Sequence, residues 1–260
     1  MGSRLISVAG GRNQVRVHEA GEGEPLMFLH GAGGLLPNDP FVAALAKHYR
    51  VYAPVLPGYE DSEGADRLRT MLDVTLFGFD VIGALGLDQP ILVGHSMGGM
   101  IAAEMAATAP QEVTRLGLIA PAGLWLDSHP LPDLFAMLPF EWPSFLFNDV
   151  AFGTQLLGAG MNLEDPKFLN DFMIANSKRL AMAGKLLFPI PDRGLADRLY
   201  RVEAKTVVVW GEQDRLIPAT YGDTFKREIA GSELIRIPNA GHCVTYEKPE
   251  AVIAALKKLS

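Results

Sequence analysis

The sequence predicts an α/β fold, in which a central, mostly parallel sheet is covered by helices on both faces. Apolar runs of strand length, such as Pro25 to His30 and Lys205 to Gly211, alternate with stretches of helical spacing. These runs are apolar at almost every position, which is typical of strands buried on both faces. One stretch rich in proline and aromatic residues, 122–200, interrupts the alternation once, and we interpret it as an inserted helical cap.

The first strands are expected at an edge of the sheet. Leu5 to Val8 and Gln14 to Ala20 flank a glycine pair, and the alternation of Val15 and Val17 predicts a half-buried hairpin. The buried strand that follows ends in the loop 31–34, and α/β sheets bind ligands at this end of their strands. The next elements are predicted as helix Phe41 to His48, strand Val51 to Val55, helix Arg67 to Leu85, a strand from Ile91, helix Met97 to Ala109 and strand Val113 to Ala120.

The cap and the second part of the sheet follow. Within the cap, helices bounded by Pro, Gly, Asn or Asp are predicted at Leu131 to Leu138, Ser144 to Leu157, Pro166 to Ala183 and Gly194 to Tyr200. The sheet then resumes with Lys205 to Gly211, helix Pro218 to Ala230, strand Glu233 to Ile237 and helix Pro249 to Leu259. The sequence therefore predicts a core of 1–121 and 201–260 with a cap of 122–200.

Composition and charge exclude several classes of protein. The chain has 260 residues, is 48% hydrophobic and carries a formal net charge of -7. This charge argues against nucleic acid or an anionic membrane as a partner, because either requires a concentrated basic patch. Cys243 is the sole cysteine, and no secretory signal or apolar run of about 18 residues is present, so we expect a cytoplasmic protein. The oligomeric state stays open, and a homo-oligomer is compatible with the sequence.

A serine flanked by glycines lies between a strand and a helix. Gly94-His95-Ser96-Met97-Gly98 fits the pattern GxSxG, in which small residues on both sides allow a sharp turn that exposes the hydroxyl. The N–H groups after the serine lie at a helix N-terminus and face the place where an oxygen would become negative. The alternative is a tight turn with a surface serine, but the apolar strand and small-residue helix favour a nucleophile.

Asp214 and His242 follow two later strands, so the chain order is Ser, Asp, His. A serine hydroxyl needs a neutral imidazole to take its proton, and a carboxylate must hold that imidazole in the right tautomer. We predict that His242 takes the first role and Asp214 the second. Asp127 and Glu212 are the alternative carboxylates, the first after an earlier strand and the second only two residues before Asp214.

The glycine-rich loop after the third strand predicts an oxyanion hole. Its donors are expected to be the N–H groups of Ala32 and Met97, with Gly33 as the alternative if the loop is turned by one residue. The loop lacks the lysine and following Ser/Thr of a phosphate-binding loop. Aromatic residues of the cap predict an apolar acyl pocket, and no metal or cofactor is expected. Candidate substrate-contacting residues are His30, Gly31, Gly33, Trp125, Phe147 and Phe188.

Over almost its whole length the chain resembles the α/β-hydrolase fold enzymes with a helical cap, near the esterases and the meta-cleavage-product hydrolases. The motifs that carry the resemblance are LHGAGG, PGYEDS, GHSMGG, VVVWGEQDRLIP and IPNAGHCVTYEKPE. The resemblance implies a mostly parallel eight-stranded sheet, helices on both faces, an inserted cap and a cofactor-free serine hydrolase. Serine at position 96, in place of aspartate, favours cleavage of an ester, thioester, lactone or carbon–carbon acyl bond.

Features of the sequence point to two different subfamilies. Asp165 to Met173 and Val202 to Thr206 resemble the carbon–carbon hydrolases, but Cys243 stands where those enzymes usually carry a tryptophan. Their cap arginine for the substrate carboxylate is also missing from 116–178, which leaves Arg179 either as its substitute or as an exposed helix cation. We expect hydrolysis of small, mostly apolar carboxylic esters or related small-molecule acyl substrates. The alternatives are hydrolysis of a 2-hydroxy-6-oxo-dienoate, perhydrolysis, lactone hydrolysis and a ligand receptor.

Overall fold

The computed structural model describes residues 2–162, 164–188 and 192–260. Its centre is an eight-stranded sheet in the order β1-β2-β4-β3-β5-β6-β7-β8. The strands are β1 (Gly2–Val8), β2 (Asn13–Ala20), β3 (Pro25–Leu29), β4 (Arg50–Pro54), β5 (Ile91–His95), β6 (Arg115–Ile119), β7 (Lys205–Gly211) and β8 (Glu233–Ile237). β2 pairs antiparallel with β1 and β4, and all other neighbours are parallel. The predicted mostly parallel, eight-stranded sheet is confirmed.

From β3 onward, helices separate successive strands and also follow the last strand. They are α1 (Pro40–Leu45), α2 (Met71–Leu85), α3 (Met97–Thr108), α4 (Trp142–Leu146), α5 (Val150–Gly158), α6 (Pro166–Leu187), α7 (Thr220–Glu228), α8 (Val244–Glu247) and α9 (Pro249–Leu256), with 3-10 turns at Leu199–Arg201 and Lys257–Leu259. Helices α4, α5 and α6 lie between β6 and β7, in the stretch 122–200 that is called the cap segment below. In the part of the chain that the structure describes, no helix is long and apolar enough to cross a membrane.

The two faces of the sheet carry separate hydrophobic clusters. Successive side chains of a strand point to opposite faces. Accordingly, Leu26 and Phe28 of β3 pack with residues of α1 and α9, whereas Met27 and Leu29 pack with residues of α2 and α3. Because both faces are covered, the central strands are apolar at almost every position.

Local side-chain chemistry explains where the structure departs from the predicted boundaries. Helix α2 begins at Met71, four residues later than predicted, because Thr70 and Asp73 form a capping box. The Thr70 N–H donates to Asp73 Oδ2 at 2.8 Å, and the Asp73 N–H donates to Thr70 Oγ1 at 3.2 Å. These reciprocal bonds satisfy N–H groups that a helix leaves without partners.

The cap segment shows the largest departures. The helix predicted at 131–138 is wrong, because the Asp133 carboxylate accepts the Phe135 N–H at 2.9 Å and stabilises a turn. The single helix predicted over 144–157 is divided into α4 and α5, since the Asp149 carboxylate caps the Phe152 N–H and starts a new helix. The helix predicted at 194–200 is reduced to turns and the 3-10 turn at its end, whereas α6 continues to Leu187.

Candidate active site

Ser96 occupies a strained turn between β5 and α3. Its backbone has φ 55° and ψ -118°, a region that non-glycine residues rarely adopt. The flanking glycines are required sterically. A Cβ atom on Gly98 would lie 2.1 Å from the Leu29 carbonyl oxygen, and one on Gly94 would lie 2.2 Å from the Gly98 carbonyl oxygen. The turn therefore places the serine hydroxyl at the carboxyl end of the sheet.

His242 connects Ser96 with Asp214. The His242 Nε2 lies 2.9 Å from Ser96 Oγ, and its Nδ1 lies 2.8 Å from Asp214 Oδ2. The other carboxylate oxygen of Asp214 accepts the N–H groups of Leu216 and Ile217 at 2.9 and 2.8 Å. Because a carboxylate accepts the hydrogen bond, Nδ1 carries the proton and Nε2 is left to accept the serine hydroxyl. All three side chains are buried.

Neither alternative carboxylate reaches His242 in this structure. Glu212 is exposed, and its N–H donates to the Ile237 carbonyl at the edge of the sheet. Asp127 is also exposed, and it accepts the Trp125 indole N–H at 2.9 Å. Asp214 is the carboxylate whose position fits the orienting role.

The loop after β3 lies beside Ser96. Among the described residues, the N–H groups of Ala32 and Met97 have no protein acceptor. A Cβ atom on Gly31 would lie 3.3 Å from the Ser96 Cβ, so the loop packs directly beside the serine. The Ala32 carbonyl accepts the Tyr59 hydroxyl at 2.9 Å, which holds the next peptide of the loop. The two N–H groups are suited to bind an oxygen that becomes negative.

His30 supports this loop and has no ring nitrogen left for a substrate. Its Nδ1–H donates to the Gly31 carbonyl at 2.8 Å, and its Nε2 accepts the Leu56 N–H at 3.0 Å. Burial lowers the pKa of His30 to about 4, so the ring is neutral near pH 7. Both ring nitrogens of His30 therefore have partners within the protein, and a substrate contact of His30 stays a prediction.

His95 has a role that sequence reasoning missed. Its Nε2–H donates to the His242 carbonyl oxygen at 2.9 Å, and the two ring centroids are 5.1 Å apart. Burial, followed by the proximity of His242, lowers the pKa of His95 to about 3, so it stays a neutral donor. The only signal in the sequence is its place directly before Ser96, which does not reveal the acceptor.

Arg179 lies on α6 above the same loop. Its Nη1–H donates to the Gly33 carbonyl at 3.3 Å, and its Nη2–H donates to Asn176 Oδ1 at 3.2 Å. Its Nε is buried without a hydrogen-bond partner, and no carboxylate of the described ranges forms an ion pair with it. Burial lowers the pKa of Arg179 from its usual value, although a guanidinium stays charged at neutral pH. Arg179 is thus a half-buried cation and differs from an ordinary exposed helix cation.

The aromatic candidates are spread through the cap segment. Phe147 is fully buried, and its ring fills the space where a Cβ atom on Gly153 would stand. Phe188 is half exposed and packs edge-on against Phe135. The described contacts of Trp125 and Phe188 do not reach the triad, so the pocket remains a prediction. Burial raises the pKa of the Cys243 thiol far above its usual value, as for a packed side chain that does not act as a nucleophile.

The chain is similar to several known proteins. A family model described as alpha/beta hydrolase family matches residues 26–255. The chain is 30% identical over 269 residues to a 2-hydroxy-6-oxo-6-phenylhexa-2,4-dienoate hydrolase of Burkholderia cepacia, covering 93% of this chain and 90% of the relative. It is 31% identical over 268 residues to a 2-hydroxymuconate semialdehyde hydrolase of Pseudomonas sp. (strain CF600), covering 94% of this chain and 88% of that relative.

The fold also resembles solved structures. A meta-cleavage product hydrolase from Pseudomonas fluorescens IP01 superimposes with a TM-score of 0.78 at 18% identity, covering 99% of this chain and 98% of that one. The family model spans six of the eight strands, from β3 to β8, and continues into α9, so it includes the turn of Ser96 and the loops of Asp214 and His242. The chain belongs to the alpha/beta hydrolase family and is a hydrolase.

Proposed function

We propose that this chain hydrolyses a carbon–carbon bond in a small 2-hydroxy-6-oxo-dienoate. In this proposal Ser96 is the nucleophile, His242 the general base, Asp214 the residue that orients it, and the N–H groups of Ala32 and Met97 form the oxyanion hole. The names of the relatives at 30% and 31% identity support this alternative over the ester reading that the sequence favoured first. The observation that carries the proposal in this chain is the position of Arg179.

Arg179 and Ser96 flank opposite ends of one β-turn. The Gly34 N–H donates to the Gly31 carbonyl at 3.1 Å, so the turn brings its end residues within about 7 Å of each other. A Cβ atom on Gly31 would lie 3.3 Å from the Ser96 Cβ, and one on Gly34 would lie 3.9 Å from the Arg179 Cδ. The nucleophile and the guanidinium therefore border the same short loop.

The positions of Arg179 and Ser96 on either side of this loop suit a substrate with a carboxylate at one end and a ketone further along its chain. A partly buried cation with no carboxylate partner is costly, and an anionic ligand offsets that cost. Guanidinium groups bind carboxylates through paired N–H donors, and the buried Nε of Arg179 is such a donor. A dienoate carboxylate bound at Arg179 would direct the ketone carbon toward Ser96.

The proposed reaction follows from the hydrogen bonds of the triad. Ser96 Oγ attacks the ketone carbon while His242 Nε2 accepts the hydroxyl proton, and the new oxyanion is held by the Ala32 and Met97 N–H groups. This cleavage requires the keto form of the substrate, in which the 2-hydroxyl proton has moved to C5 and made that carbon tetrahedral. The C5–C6 bond then breaks, its electron pair passes through the neighbouring double bond to the 2-oxo oxygen, and the resulting dienolate takes the proton from His242. Water, deprotonated by His242, cleaves the acyl ester on Ser96 and releases the carboxylic acid.

The proposal includes the division of the chain into a core, 1–121 and 201–260, and a cap, 122–200. Buried Phe147 and half-buried Trp125 belong to the cap and are proposed to shape an apolar part of the pocket. Hydrolysis of small apolar carboxylic esters is the second candidate, because Cys243 follows His242 where the carbon–carbon hydrolases usually carry a tryptophan. The triad and the oxyanion donors would serve both reactions.

A side-by-side rate measurement tests the proposal. Initial rates are measured on 2-hydroxy-6-oxo-6-phenylhexa-2,4-dienoate, by loss of its colour, and on a short-chain p-nitrophenyl ester, with Ser96→Ala as the control. We expect a higher kcat/KM for the dienoate and a loss of about 10⁴-fold or more in kcat in the Ser96→Ala variant. Serine-dependent turnover of the ester alone would replace the proposal with the second candidate, and turnover of neither compound would overturn both.

A further inference from the structure

The loop that carries His242 is hydrogen-bonded on both sides of the histidine. Before it, the Gly241 N–H donates to Glu247 Oε2 at 2.6 Å. After it, the Cys243 N–H donates to the Leu146 carbonyl at 2.8 Å. One of these acceptors is the side chain of Glu247, and the other is the main chain of the cap segment at the end of α4.

Glu247 also binds the cap segment directly. Its second oxygen, Oε1, accepts the N–H of Asp149, the residue that caps α5, at 2.8 Å. One carboxylate therefore bridges the histidine loop and the cap. The two stretches also pack without space between them, because a Cβ atom on Gly241 would lie 2.7 Å from the Asn148 nitrogen and 2.9 Å from the Leu146 carbonyl oxygen.

The loop of Asp214 is attached to the same part of the cap. Arg215, the next residue, donates from Nη1 to the Ser144 carbonyl at 3.0 Å and to the Phe147 carbonyl at 3.2 Å. The stretch 144–149 thus contacts both loops whose side chains form the His242–Asp214 pair. Through these contacts the stretch 144–149 holds the loop of His242, the proposed base, in place. The first half of α6, by contrast, is mostly exposed to solvent.

We propose that Glu247 is a positioning residue that holds the main chain before His242 against 144–149 and so sets the distance from His242 Nε2 to Ser96 Oγ. The inference rests on Ser96 and His242 as the catalytic pair of the proposed function. A carboxylate forms shorter and stronger hydrogen bonds to N–H groups than a neutral acceptor does. Glu247 is suited to this role because each of its two oxygens accepts one N–H from a different stretch of chain.

The variants Glu247→Gln and Glu247→Ala test the proposal, with Glu250→Gln as the matched control. Glutamine keeps the size of the side chain but has one acceptor oxygen, so its amide N–H₂ faces one of the two backbone N–H groups. Glu250 is an exposed glutamate in the first turn of α9, without a hydrogen bond to the described residues. Both glutamine substitutions therefore remove one negative charge, but only Glu247→Gln also breaks the bridge between the histidine loop and the cap.

The first measurement is the rate at which a fluorophosphonate labels Ser96, which requires no knowledge of the natural substrate. The serine oxygen forms a bond to phosphorus, fluoride leaves, and His242 takes the hydroxyl proton. Small displacements of a catalytic group cost up to about 100-fold in rate, so we expect labelling to slow by about 10- to 100-fold in Glu247→Gln and more in Glu247→Ala. The Glu250→Gln control is expected to match the wild type.

The second measurement separates positioning from a contribution to stability alone. The proton between His242 Nδ1 and Asp214 Oδ2 is expected to give a downfield NMR signal, which should shift or broaden in Glu247→Gln and not in Glu250→Gln. A lowered Tm with unchanged labelling and an unchanged signal would overturn the positioning role while leaving the proposed function intact. A wild-type protein that labels no faster than Ser96→Ala would overturn the proposed function and this inference with it.

Discussion

The Nδ1–H of His30 donates to the carbonyl oxygen of Gly31 at 2.8 Å, and this bond orients the peptide whose N–H belongs to Ala32. In a planar trans peptide the N–H points opposite to the C=O, so fixing one direction fixes the other. The Gly34 N–H donates to the same oxygen at 3.1 Å. The Ala32 N–H, the proposed oxyanion donor, is therefore oriented by the two hydrogen bonds that the Gly31 carbonyl oxygen of the same peptide accepts.

Substitution of His30 is predicted to lower kcat. His30→Asn keeps an N–H donor near the position of Nδ1, whereas His30→Gln places an acceptor near Nε2 and loses the donor to Gly31. Loss of one oxyanion donor costs about 10²- to 10³-fold in other enzymes, and a misdirected donor is expected to cost about 10- to 100-fold here. We expect kcat to fall more in His30→Gln than in His30→Asn. If His30→Gln and His30→Asn lowered kcat by the same factor and Tm by the same amount, the result would contradict a role for the direction of the His30 donor.

The buried histidines predict a loss of stability in acid. The folded pKa is lowered to about 4 for His30 and to about 3 for His95, below the ordinary value of 6.5. The unfolded chain therefore binds more protons, so this contribution is fully present above pH 6.5 and is lost as the pH falls from 6.5 toward 4. The contribution of His30 to the free energy of unfolding is on the order of 3 kcal/mol.

Chemical unfolding of the wild type and His30→Asn at pH 7, 6, 5 and 4 measures this contribution. The lowered pKa of Asp61 acts in the same direction at lower pH, so the informative quantity is the difference between the two proteins. The free energy of unfolding of His30→Asn is expected to fall less steeply between pH 6.5 and 4. Parallel curves would show that His30 is not the group responsible.

Arg179→Gln is predicted to raise the KM for the dienoate without a matching effect on an uncharged ester. Hydrogen bonds to charged groups contribute about 1.5–3 kcal/mol, which corresponds to a rise in KM of about 10- to 100-fold. Arg179→Lys is expected to lie between, because it keeps the charge but loses the paired donors. Lys178→Gln, an exposed neighbour on α6, serves as the control. Equal losses on both substrates would indicate that Arg179 acts on the loop through the Gly33 carbonyl.

Glycine substitutions are predicted to have opposite effects at two sites. A Cβ atom on Gly98 would lie 2.1 Å from the Leu29 carbonyl oxygen, whereas nothing lies within 4 Å of the corresponding position on Gly83 in α2. Gly98→Ala is expected to destabilise the protein by about 1–3 kcal/mol or more, and Gly83→Ala to stabilise it by up to about 1 kcal/mol. Unfolding curves at pH 7 test both, and a neutral Gly98→Ala would contradict the packing of the turn.

The main elements of the sheet and the places of Ser96, Asp214 and His242 were predictable from sequence. Buried parallel strands have an apolar pattern of their own, and residues just beyond their carboxyl ends meet at one edge of the sheet. The helices of the cap segment were predicted less well. The choice between turn and helix there depended on side chains such as Asp133 and Asp149, which bind nearby N–H groups and end or begin a helix locally.

Short stretches of the chain predict the α/β fold, the sharp turn at Ser96 and the order of Ser96, Asp214 and His242, because each of these features has a local sequence pattern. Three other relationships are visible only in the folded chain: His95 donates to the His242 carbonyl, 147 positions away, His30 donates to the Gly31 carbonyl, and Arg179 stands without a carboxylate partner among the described residues. Such relationships depend on which loops meet in space, and a hydrogen bond between residues far apart in the chain leaves no pattern of sequence spacing that would predict it.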